Sequence, residues 1–110
     1  MSVALIITSK HEPTDITSVP LDTEEGYYQA WFPIAEELGL TWVRSFGWGT
    51  PIYLHNVPEI LAELETLRHA LSAQDFGLTD DRIAVLIQRI ERVADALQST
   101  ADLDVEIYIG

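Results

Sequence analysis

His11-Glu12-Pro13-Thr14-Asp15 places an imidazole and two carboxylates close together, with Asp22, Glu24 and Glu25 further along. Such side chains can ligate a divalent cation. His-Glu-x-x-Asp shares its first two residues with the zinc-protease motif His-Glu-x-x-His, which works because both ligands lie on one helical turn. Here Pro13 opposes a helix and the second histidine is missing. An EF-hand is excluded too, since no glycine sits at its turn and the ligand spacing differs. A solvated acidic loop is therefore the default for His11, Glu12 and Asp15. Divalent-cation binding by loop 11–25 stands as a second alternative.

Aromatic residues form a second group. Tyr27, Tyr28, Trp31, Phe32, Trp42, Phe46, Trp48 and Tyr53 are eight of the ten aromatics, all within one quarter of the chain. Some must be core. Others, with Tyr28 and Trp31 as candidates, suit a pocket or an interface, where Trp and Tyr are favoured. Trp48 lies between Gly47 and Gly49. A large apolar side chain at a turn tip is costly unless something covers it, so Trp48 is the leading exposed candidate.

The third group is Arg44, Tyr53, His55, Glu106 and Tyr108. If Ile52 and Leu54 face the helices, Tyr53 and His55 face the other way, and Glu106 and Tyr108 share that face. Arg44 would join from a neighbouring strand. Together they could hold a small anion or move a proton, since His titrates near neutrality. Solvent faces of antiparallel sheets commonly carry such residues, so a subunit contact covering the face competes with this reading.

Other chemistry is absent. There is no Gly-x-Ser-x-Gly elbow and no glycine-rich phosphate loop before a helix. His69 sits beside Arg68 on a helix and reads as a surface residue. Glu24-Glu25, Glu36-Glu37 and Asp80-Asp81 are neighbours on helices, where adjacent side chains diverge by about 100°, so they are not acid–base pairs.

The positioning elements follow from periodicity. Val3–Thr8 reads as a central strand because its apolar residues run continuously. Residues 9–22 read as a long polar connection. Asp22 reads as a helix cap with Glu25 three residues on, and Tyr27, Tyr28, Trp31, Ile34, Ala35 and Leu38 share one stripe that Gly39 ends. Pro33 implies either a kink or a break near Ala30. Leu40–Phe46 and Pro51–His55 read as two strands joined by a glycine-bearing hairpin turn. Asn56 reads as the cap of a helix with Ile60, Leu61, Leu64, Leu67 and Leu71 inward and Glu59, Glu63, Glu65 and Arg68 elsewhere. Thr79 reads as the cap of the longest helix, striped by Ile83, Leu86, Ile87, Ile90, Val93, Ala94 and Leu97. Asp104–Ile109 alternates as a strand with one wet face. The expected fold is one α+β domain over residues 1–110: a two-layer sandwich of order β-α-β-β-α-α-β. Three helices would cover one face of a mixed four-stranded sheet whose terminal strands pair in parallel.

Composition bounds the function. The chain has 110 residues, 47% hydrophobic, no cysteine, and a formal net charge of −12. This is too apolar for a disordered chain. Disulfides, thiol catalysis and thiolate zinc sites are excluded. Acid is spread along the chain, which disfavours nucleic acid and anionic membranes, both of which need clustered Lys or Arg. No leader-like or membrane-spanning run is visible, so a cytoplasmic location is expected. No cofactor is implied. The expected function is a small acidic, non-enzymatic protein-interaction module, either immunity- or inhibitor-like or an adaptor, binding a protein partner or itself. The alternative is a small-ligand-binding protein or enzyme that uses the face around Arg44, Tyr53, His55 and Tyr108.

Overall fold

Val3, Leu5 and Ile7 alternate with Ala4, Ile6 and Thr8, and the computed structural model places them on strand β1 (Ser2–Ser9). The structure describes residues 2–12, 14–100 and 104–110. Strand β2 (Ile16–Thr23) returns antiparallel to β1, so the expected long connection over residues 9–22 is mostly strand. The local signal is weak: Val19 and Leu21 are its main inward apolar residues, and Pro20 fits only because β2 is an edge strand. A bulge at Leu21 shifts the register between Val3 and Ala4 and brings both Leu21 and Asp22 into the interior.

The helical path begins at α1 (Glu24–Gly26), capped by Thr23 rather than Asp22; the Thr23 hydroxyl accepts from the Gly26 N–H at 3.0 Å. A π turn (Tyr27–Trp31) leads into α2 (Phe32–Leu38). The wide turn lies just ahead of Pro33, which lacks the N–H an α-helix would use, so the helical path continues past Ala30 and the expected alternative of a break there is corrected. Gly39 closes α2 in the left-handed region at φ 72°.

Residues 41–45 form helix α3 (Thr41–Ser45), not a strand. Leu40, Val43 and Phe46 are buried at three-residue spacing, which is helical. The Glu63 carboxylate accepts from the N–H groups of Trp42 at 2.9 Å and Val43 at 3.1 Å, satisfying donors that a helix start leaves free. Glu59 accepts from the Trp42 indole N–H at 3.1 Å. A 3-10 turn (Phe46–Trp48) then leads to β3 (Thr50–Ile52), only three residues long, so the expected hairpin does not form.

A second 3-10 turn (Leu54–Asn56) leads into α4 (Val57–Ala73). Asn56 holds the cap position, but its side chain accepts from the Tyr53 N–H instead of capping the helix. Helix α5 (Asp80–Ser99) starts on Thr79, whose hydroxyl accepts from the Arg82 N–H at 3.1 Å. Strand β4 (Val105–Ile109) completes the sheet.

The result is an α+β sandwich with sheet order β2-β1-β4-β3. All three pairings are antiparallel, so the expected mixed sheet and parallel terminal pair are corrected. Strand β4 enters between β1 and β3 and opposes both. Val3, Leu5, Ile7, Ile52, Ile107 and Ile109 face a helical layer that supplies Tyr27, Trp31, Phe46, Ile60, Leu64, Leu86, Ile90 and Leu97.

Among the described residues, Asp22 is the charged group inside this core, 5% exposed. It accepts from the Trp31 indole N–H at 3.1 Å and from Arg82 at 2.6 Å, and lies 3.3 Å from Arg89. Arg89 also donates to the Leu21 carbonyl at 3.0 Å. A buried carboxylate is tolerable when paired and fully hydrogen-bonded, and these contacts tie β2, the π turn and α5 together. A β-carbon on Gly26 would lie 2.2 Å from the Asp22 carboxylate, so glycine is required there.

Candidate functional site

The helical layer covers one face of the sheet. The other is open. Register places Ser18, Ile6, Tyr108 and Pro51 in one row across all four strands, with Ile16, Thr8 and Glu106 in the next. Ile16 (58% exposed) and Tyr108 (44%) stand out of this face, and Pro51 is exposed beside them.

Beyond Ile52 the chain leaves the sheet and a groove of about 730 Å³ opens between it and β4. Tyr53, Leu54 and His55 form one wall, and Val105, Glu106 and Tyr108 the other. Tyr53 is 62% exposed and its ring stacks parallel to that of His55 at 5.8 Å. The turn beneath them is fixed by the Asn56 N–H donating to the Tyr53 carbonyl at 2.9 Å. Lys10 and Asp104 close one end, with the Lys10 amine 3.5 Å from the Asp104 carboxylate.

The residues singled out from sequence divide. Tyr53, His55 and Tyr108 line the groove together, with Glu106. Arg44 is exposed on α3 and does not line it; its expected strand is a helix. Trp31 is 1% exposed and belongs to the core, where its indole serves Asp22. Tyr28 is half-exposed and packs on Phe32 at 5.8 Å, and Phe32 packs on Trp48 at 6.4 Å. Trp48 is 68% exposed, so it tops an aromatic strip at the end of the helical layer. Close approach of this strip needs Gly47, where a β-carbon would lie 2.6 Å from both Tyr27 and Tyr28.

His11 lies 3.0 Å from Asp104, not beside Glu12 or Asp15. The Ser9 hydroxyl accepts from the N–H groups of His11 and Glu12, and Asp15 continues into β2. Among the described residues no group of three or more His, Asp or Glu side chains converges as a metal would need. Pro13, the residue expected to oppose a helix here, lies outside the described residues.

Tyr27 joins the π turn to α3: its hydroxyl donates to the Val43 carbonyl at 2.5 Å. Burial pushes this phenol up to about 12. It has no access to the groove and serves the fold.

Sequence reasoning missed Val105, Lys10 and Asp104 as groove residues. Their placement depends on where β3 stops, and β3 was expected to run to His55. Among the described residues no helix is long and apolar enough to cross a membrane. No protein-family model, no curated protein and no solved structure matches the chain.

Proposed function

We propose that the chain is a non-enzymatic protein-interaction module that binds a basic protein through the open face of its sheet. The observation that carries this reading is the exposure of Ile16, Tyr108 and Pro51 on the open sheet face, with Tyr53 beside it, on an otherwise strongly acidic chain. Exposed apolar surface of this kind marks contact sites, and aromatic residues are enriched in them. The charge of −12 favours a cationic partner and speeds encounter with it.

An enzymatic reading has less support. His55 stacks on Tyr53 and makes no ion pair among the described residues. A general base is held by a partner that orients it, and Arg44 stands elsewhere.

Affinity capture from cell lysate at low and high salt tests the proposal, using the wild type beside a Tyr53→Ser/Tyr108→Ser double variant of unchanged circular dichroism. One basic protein should be retained by the wild type, less at high salt, and lost with the variant. Recovery of no partner at either salt, or equal recovery by the variant, contradicts it.

A further inference from the structure

The free side of β4 narrows the kind of partner, on the premise that the open face is a binding surface. Gly110 and Ala4 exchange both backbone hydrogen bonds, at 3.1 and 3.3 Å, and the Lys10 N–H donates to the Asp104 carbonyl at 3.2 Å. In an antiparallel ladder each residue directs its N–H and C=O to one side, and the side alternates along the strand. Asp104, Glu106, Tyr108 and Gly110 therefore bond toward β1. Val105, Ile107 and Ile109 bond the other way. Ile109 meets Thr50 and Ile107 meets Ile52, but β3 ends there. The N–H and C=O of Val105 point into the groove, with no strand opposite them among the described residues.

We infer that this groove receives an extended segment of the partner protein that adds as a short strand beside β4 and carries a Lys or Arg against Glu106. Strand addition at an unpaired edge supplies backbone hydrogen bonds, and pockets for alternate side chains supply selectivity. The segment residue opposite Val105 turns its side chain toward the helical layer. Its two neighbours turn theirs to the open face, where Glu106, Tyr108 and Tyr53 stand. Glu106 makes no ion pair among the described residues, whereas Asp104 is occupied by Lys10 and His11. A cation held there meets one free carboxylate beside two tyrosines, both of which attract it. Lys10 does not oppose this, because Asp104 neutralises it.

A display library of random linear peptides, panned against the whole chain, tests the inference. Enriched peptides should carry Lys or Arg and lack proline at alternate positions. Bound to labelled protein, they should shift the amide resonances of Val105, Glu106 and His55. N-methylation of the one peptide amide that faces Val105 should weaken binding about tenfold or more. Glu106→Gln, which leaves the backbone intact, should weaken it by about fivefold. The inference is overturned if no peptide is enriched, if N-methylation at every position is without effect, or if the shifts spare Val105. Shifts confined to Ile16, Ile6 and Tyr108 overturn the strand addition but leave the open-face reading standing. Shifts confined to α4 and α5 overturn both.

Discussion

The hydroxyl of Tyr108 lies against the α-carbon of Gly49, so closely that a β-carbon there would sit 2.0 Å from it. The last strand is thus keyed to the turn that follows Trp48. Gly110 completes the notch, since a β-carbon on it would lie 2.8 Å from the same hydroxyl. Tyr108 is exposed on one side yet fixed in position on the other. This holds an aromatic ring rigid on an otherwise solvated sheet face.

Replacing Gly49 by Ala should therefore be costly twice over. The backbone sits at φ 82°, which suits glycine, and the new methyl would collide with Tyr108. We expect a loss of about 1–3 kcal/mol in urea denaturation, with changed resonances for the Tyr108 ring. Gly77, also at positive φ but with open space around it, should cost less when changed to Ala.

Asp22→Asn should destabilise the fold by about 1–3 kcal/mol, because the partly exposed Arg82 and Arg89 would lose the carboxylate they share. Equilibrium denaturation measures this. A loss under about 1 kcal/mol would mean that the cluster is not an energetic link between β2 and α5.

Glu63→Ala should free the first turn of α3. Loss of a side chain that caps a helix costs about 0.5–2 kcal/mol. Because Trp42 donates its backbone N–H to Glu63 and its indole N–H to Glu59, hydrogen exchange at Trp42 and Val43 should rise more than at Ile60 or Leu64.

These elements show what was legible in the sequence. Helices α4 and α5 were readable because Ile60, Leu64, Leu67 and Leu71, and then Leu86, Ile90, Val93 and Leu97, repeat at helical spacing over several turns. Strand β4 was readable from its strict alternation. Strand β2 was not, since Thr17, Ser18 and Pro20 read as loop and only pairing with β1 makes them a strand. Helix α3 was hidden because five residues give little periodicity and its start depends on Glu63, twenty residues away in the chain. Tyr53, His55 and Tyr108 were grouped by an alternation that stops at Ile52; the 3-10 turn, not a strand, brings Tyr53, Leu54 and His55 together into the groove. Arg44 was misplaced together with α3, and Trp31 could not be told from a surface aromatic without knowing that Asp22 turns inward.

Tyr27 gives the fold a sensitivity to alkali. Its ordinary value is 10.0 and burial raises it to about 12. Below pH 10 the phenol is neutral in both states. Between 10 and 12 the unfolded chain loses the proton and the folded one keeps it, so stability falls as pH rises. The loss across this window should approach about 2–3 kcal/mol. Urea denaturation over this range should show a shallower fall for Tyr27→Phe, although that variant begins about 1 kcal/mol less stable for want of its bond to Val43.

The binding claim itself is tested most directly by position-specific photocrosslinking. A benzophenone amino acid is placed at Ile16, Pro51 or Tyr53 on the open face, or at Val85, an exposed apolar residue on α5. Irradiation in cell lysate should join one basic protein to the three sheet positions and leave the Val85 variant uncoupled. Coupling from Val85 alone, or coupling of the sheet positions only to a second copy of this chain, would contradict the account.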